Sequence, residues 1–122
     1  MLLNYQTMIT ELTALDVSNA SLLDEATAAA EAIAMAFSTH NHKRTKVFVS
    51  NSIFPQTIDV MKTRASALDI ELVFGEIAEF PWADADQFCG AIMQTPDNIG
   101  NMRDYTELFT RMRLHKVRSI VI

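Results

Sequence analysis

Residues 46 to 75 read KVFVSNSIFPQTIDVMKTRASALDIELVFG, and how this stretch folds decides the fold of the chain. Lys46 to Ser50 (KVFVS) is β-branched and aromatic, which predicts a buried strand. Pro55 falls where the first turn of a helix tolerates proline. Ile58, Met61, Ala65 and Leu68 then recur at helical spacing. Ile70 to Phe74 (IELVF) reads as the next strand, ended by Gly75. Both strands are continuous apolar runs rather than alternating ones, as in parallel βαβ units whose sheet is covered on both faces.

The same alternation extends outward. Phe88 to Met93 (FCGAIM) is a further apolar strand, followed by the turn-rich TPDNIGN. Tyr105, Leu108, Phe109 and Met112 mark a helix, and Ser119 to Ile122 (SIVI) a last strand. Toward the amino terminus, residues 21 to 37 (SLLDEATAAAEAIAMAF) form an alanine-rich helix, with Ser21 as its cap and Asp24 completing a capping-box-like pair. Asp16 to Ala20 is a connection or short strand. Leu2 to Leu15 is an amphipathic helix carrying Leu2, Tyr5, Met8, Ile9 and Leu12 on one face. The expected class is α/β, a three-layer arrangement with a mostly parallel sheet, in one domain over residues 1–122. No repeat or linker divides it.

At 122 residues the chain is long enough to bury roughly two-thirds of its unfolded surface. Its composition, 49% hydrophobic and 20% charged, is ordinary for a soluble globular domain. A net charge of −5 speaks against nucleic acid or an anionic membrane as partner, since either needs a basic face. No apolar stretch approaches the ~20 residues of a membrane span. The start, MLLNYQTMITEL, lacks the basic flank and cleavage site of a signal peptide. The single cysteine, Cys89, cannot form an internal disulfide, which suits a reducing compartment.

Chemistry-bearing motifs are sparse. The three glycines, Gly75, Gly90 and Gly100, are not spaced for a dinucleotide or phosphate loop. A response-regulator-like Mg²⁺ site wants acids at strand ends; here the first strand ends in Ser50-Asn51 and the third in Gln94-Thr95. His40 and His42 form an HxH pair remote from His115, too few ligands for zinc. Cys89 has no adjacent base and reads as a buried structural thiol. The start of the alanine helix could point amides at a phosphate, but Asp24 and Glu25 already complement its dipole and would repel an anion. Ala26, Ala28, Ala29, Ala30, Ala32 and Ala34 therefore suggest close packing. The residues assign no catalytic, cofactor-binding or metal site.

LLNYQTMITELTALDVSNASLLDEATAAAEA (2–32) closely resembles the amino-terminal half of glycine dehydrogenase (decarboxylating), the P-protein of the glycine cleavage system. The resemblance continues through FPQTIDVMKTRA (54–65) and ADADQFCGAIMQTPDNIG (83–100), and more weakly from DYTELF to SIVI. A run of about thirty matching residues is more specific than any short motif. It implies part of the large domain of the pyridoxal-phosphate-dependent transferase fold (aspartate aminotransferase-like, fold type I). In that family pyridoxal phosphate serves as electron sink while glycine loses CO₂, and the aminomethyl group passes to the lipoyl arm of the H-protein.

The resemblance also implies that the lysine carrying the cofactor belongs to the carboxyl-terminal half. Lys43, Lys46, Lys62 and Lys116 are the lysines here. Leu114-His115-Lys116 mimics the family's His-Lys pair, but Lys116 ends a helix and precedes a strand, where the helix dipole accounts for a cation. No pyridoxal phosphate is therefore expected on this chain. The family usually has glycine where Ala14 and Ala26 stand, histidine at Phe54 and tyrosine at Thr95. The expectation is a segment or truncated homologue of the enzyme, inactive alone; the alternative is a free-standing binding or assembly module derived from it. A new small enzyme would need a convergent His/Asp/Cys constellation, which is lacking. Expected partners are a second copy through the first helix, or the rest of a P-protein or the H-protein. The location would be cytoplasmic in a bacterium and mitochondrial in a eukaryote. The expected strand order is 88–93, 119–122, 45–50, 70–75, all parallel.

Overall fold

The structure, a computed structural model, describes residues 1–122. Four helices and four strands alternate along most of the chain: α1 (Leu2–Thr13), α2 (Glu25–Thr39), β1 (Lys46–Ser50), α3 (Pro55–Ala67), β2 (Glu71–Gly75), β3 (Phe88–Met93), α4 (Thr106–Leu114) and β4 (Arg118–Val121). Two 3₁₀ segments, Ile77–Glu79 and Trp82–Gln87, link β2 to β3 in place of a helix. No helix is long and apolar enough to cross a membrane.

All strand pairs are parallel, in the order β2-β1-β3-β4. The expected order was wrong in one respect: residues 119–122 do not lie inside the sheet, and β4 is an edge strand beside β3. Solvent exposure explains it. Every residue of β3 is buried, as an inner strand requires, whereas Arg118, Ser119 and Val121 of β4 are exposed. From β1 the chain moves one way across α3 to β2, then returns past β1 to β3 on the opposite face. Steps in opposite directions on opposite faces are what right-handed crossovers demand.

The sheet divides the core in two. On one face Val47, Val49, Cys89 and Ile92 meet Ala29, Ile33 and Ala36 of α2 and Met61 and Ala65 of α3. On the other, Phe48, Phe88, Ala91 and Met93 meet Ile77 and Phe80 of the 3₁₀ link and Met112 of α4. The alanines of α2 are used for close approach. A methyl group on Gly90 would lie 3.3 Å from the Ala36 Cβ and 3.2 Å from the Arg118 carbonyl oxygen, so helix and strand meet with no space to spare. Lys46 aligns with Phe88 but Val47 with Gly90, so β3 carries one extra residue, Cys89, as a bulge. Its Sγ donates to the Lys46 carbonyl at 3.3 Å.

One expected cap and one expected helix end shift: the cap of α2 moves from Ser21 to Asp24, and α1 ends at Thr13 rather than Leu15. The N-cap of α2 is Asp24, with extended backbone and its Oδ1 accepting from the Thr27 amide at 2.8 Å. Ser21 stands outside the helix at φ 118°, its amide donating to Asn19 Oδ1. An ionised carboxylate three residues before a free amide is the stronger cap, so the helix starts there. α1 stops at Thr13 because Ala14 takes the left-handed conformation, φ 57° and ψ 21°, with its amide donating to Thr10 O. No residue of α1 is buried.

Candidate functional site

In a parallel sheet of this order, the loops leaving β1 and β3 diverge to opposite faces, and the crevice outside their carboxyl ends is where such folds hold ligands. The structure brings the Ser50-Asn51 and Gln94-Thr95 strand ends together there. Gln94 is buried; its Oε1 accepts from the Phe54 amide at 3.0 Å, and its Nε2 donates to the Pro96 carbonyl at 3.0 Å. The Asn98 amide donates to Ser52 O at 3.0 Å, which fastens the two loops to each other. A cis Thr95–Pro96 bond turns the chain at this point.

Asp97, also buried, organises the 97–101 turn. Its carboxylate accepts from the amides of Asn101 (2.8 Å) and Ile99 (3.1 Å) and from Asn101 Nδ2 (3.2 Å). The Asn101 amide, helped by Ile99, the Asn101 side chain and the charge of Arg103, holds this carboxyl below the usual range against the opposing cost of desolvation. An acid so engaged is a poor proton acceptor. Asn51 is exposed, with Nδ2 reaching Glu76 Oε1 at 3.5 Å. The crevice is thus a self-satisfied polar shelf with exposed Asn51 and Ile99. The Glu76 carboxylate stands exposed at its rim beside Asn51. Gln94 and Asp97 were missed as site organisers; the signal for Asp97 was the Asp-x-x-Gly-Asn turn pattern.

The other singled-out residues lie elsewhere. Lys46, at the start of β1, pairs with Glu71 at 3.7 Å. Lys62 on α3 lies over the Phe74 ring, 5.6 Å from its centroid. Lys43 follows the turn after α2, and Lys116 follows α4 at φ 59°. None of the four reaches the crevice at the strand carboxyl ends. His42 packs on Phe37 with ring centroids 4.6 Å apart, and His115 on Trp82 at 5.4 Å. His40 leaves its Nε2 buried with no hydrogen-bond partner. No three His, Cys, Asp or Glu side chains gather as a metal site. Cys89 is fully buried, and burial pushes its thiol up to about 11. Asp24 is held low by its hydrogen bonds from Thr27, so the α2 N-terminus already has its anion.

Comparison with known proteins follows this geometry closely. The family described as glycine cleavage system P-protein matches residues 1–122. The chain is 42% identical over 120 residues to a mitochondrial glycine dehydrogenase (decarboxylating) of Flaveria anomala. It is 45% identical over 120 residues to that of Roseobacter denitrificans, and 46% over 117 residues to that of Shewanella frigidimarina. These alignments cover 95–98% of this chain but 12% of each relative, so the chain spans about an eighth of their length. A crystal structure of glycine decarboxylase (P-protein) of the glycine cleavage system, in inhibitor-bound form, superposes with a TM-score of 0.85 at 26% identity. That match covers 98% of this chain and 28% of the other.

Proposed function

The chain belongs to the glycine cleavage system P-protein family, and from that premise we propose that it supplies a scaffold segment of a glycine-decarboxylating enzyme and has no decarboxylase activity alone. Its fold is that of the pyridoxal-phosphate-dependent fold type I enzymes. We place it in the amino-terminal half of the parent. The observation that carries the reading is the placement of the lysines. An aldimine needs an amino group in the cofactor crevice, whereas Lys43 and Lys116 stand beyond helix carboxyl ends, Lys46 is paired with Glu71, and Lys62 lies over Phe74. The α2 N-terminus, with Asp24 on its own amide, is likewise no seat for a phosphate. These residues do not fit pyridoxal phosphate, and no step of the reaction is assigned to them.

Absorption titration with pyridoxal phosphate, followed by borohydride trapping and peptide mapping, tests the reading. The expected result is no stoichiometric label on any lysine and no exchange of CO₂ with the glycine carboxyl group, even with H-protein present. Stoichiometric labelling at a single lysine, Lys116 above all, overturns it. A second reading, an assembly module, is favoured by α1, whose apolar residues are left uncovered. We propose that its partner is a second copy or the remainder of a P-protein. The relatives include mitochondrial plant proteins and bacterial ones, which fits a mitochondrial location in the first case and a cytoplasmic one in the second.

A further inference from the structure

At the end of the sheet opposite the crevice, the last turns of α2 and α4 and the start of β4 surround a concavity of about 660 Å³. Thr39, His40, Arg113, Lys116, Arg118 and Ser119 line it together with apolar side chains. The chain as a whole carries a net charge of −5, yet no carboxylate lines this space. The ion pairs in the structure are Lys46–Glu71 and Arg64–Glu31, so Arg113, Lys116 and Arg118 have no acidic partner. After Glu107, the fifteen residues to Ile122 contain four cations, one histidine and no acid.

Helix dipoles account for part of this. Each helix carboxyl end carries about half a negative charge, and two of them point here. Their carbonyls, however, are already occupied. His40, Asn41 and His42 amides cap α2, and His115, Lys116 and Val117 amides cap α4. Arg44 serves the turn after α4, its Nη1 donating to His115 O at 3.0 Å and Lys116 O at 3.4 Å. Three further cations against about one unit of residual dipole charge leave the space strongly positive. His40 borders this space with its Nε2 buried and without a hydrogen-bond partner, so the ring senses the local charge rather than touching a ligand.

We propose that this concavity is a binding site for a phosphate group, free or as a small phosphomonoester. The guanidinium groups of Arg113 and Arg118 can each donate to its oxygens in forked geometry and Lys116 adds a point charge. The Thr39 and Ser119 hydroxyls already donate to Ala36 O and Met112 Sδ, so the cations carry the binding. Arg118 is already oriented by its Nε–H donating to Thr39 Oγ1 at 3.4 Å. The cations come from α4, the turn after it and β4, and their summed charge favours a dianion over a monoanion. The site is independent of the decarboxylase reading. His40 supplies the reporter. Desolvation, then the charges of Arg44 and Arg118, lowers its imidazole below the usual range, against the opposing pull of the Cys89 and Lys116 backbone carbonyls. The groups facing it are Arg44, Arg113, Lys116 and Arg118, all cationic, so a bound dianion raises its pKa by reciprocal coupling.

NMR titration of the full chain with inorganic phosphate, at constant ionic strength set with sodium chloride, tests this. Saturable shifts at His40, Arg118 and Ser119 are expected, with an upward move of the His40 titration. Arg118→Gln and Arg113→Gln should each weaken binding at least tenfold, while Arg64→Gln, paired with Glu31 elsewhere, should leave it unchanged. Arg113 is exposed on α4, so its variant remains decisive even where Arg118→Gln disturbs β4. Linear shifts that chloride reproduces overturn the proposal. So does equal affinity in the Arg113→Gln variant, or tighter saturation by malonate than by phosphate.

Discussion

Cys89 occupies the extra position of the β3 bulge, and its burial has a consequence in alkaline solution. The folded thiol keeps its proton to about 11 where an unperturbed one releases it at 9.0. A group whose folded pKa is raised stabilises the fold fully below its unfolded pKa, and that stability is lost as pH rises through the folded one. Between pH 9 and 11 the chain should lose about 2–3 kcal/mol that a Cys89→Ala variant does not lose. Denaturant unfolding of both proteins across that range measures the difference. At neutral pH the thiol should resist iodoacetamide until the chain unfolds; alkylation at the rate of a free thiol would contradict the burial. That Cys89 is structural was legible from the apolar run around it. Its place in a bulge was not, because strand register arises from pairing with β1, which no local pattern in FCGAIM encodes.

Among the elements, α1 is the one whose stability is separable from the rest. It buries no residue, and it ends on Ala14 in the left-handed region, where a Cβ costs roughly 1–2 kcal/mol. Ala14→Gly should therefore stabilise the end of α1 by about 1 kcal/mol and slow amide exchange there, while leaving the melting temperature of the core unmoved. A shift of the whole unfolding transition would mean that α1 folds with the core. The helices and strands themselves were readable from periodicity, and Pro55 does stand at the first position of α3. The 3₁₀ link and the cap at Asp24 were not read. The first lacks a helical period, and in the second two carboxylate and hydroxyl candidates compete three residues apart. The edge position of β4 was present in the sequence as Arg118-Ser119, since an inner strand would start apolar as β3 does. The crevice was half legible: both strand ends were noted, but Gln94 matters through a bond to Phe54, forty residues away.

For the whole molecule, the open question is what covers α1. Leu2, Leu3, Met8 and Leu12 are between 61% and 78% exposed, an apolar stripe of the kind that marks association. We propose that a second copy covers it, since a two-fold contact burying ~800 Å² per partner is the commonest closed solution. Sedimentation velocity at micromolar concentration should show a dimer that Met8→Glu dissociates, because an unpaired charge cannot be buried cheaply. A clean monomer of the unsubstituted 122-residue chain refutes it.

Arg44 has a kinetic consequence. Its Nη1 reaches the carbonyls of Ala85, Phe88, His115 and Lys116, partners 41 to 72 residues away. Contacts of such long sequence separation need β3 and the α4–β4 turn to have docked first, and we expect them to form after the rate-limiting barrier to folding. The guanidinium is then a latch on the exit rather than a guide on the way in. Arg44→Met should raise the unfolding rate roughly tenfold or more and leave the refolding arm of the chevron where it was.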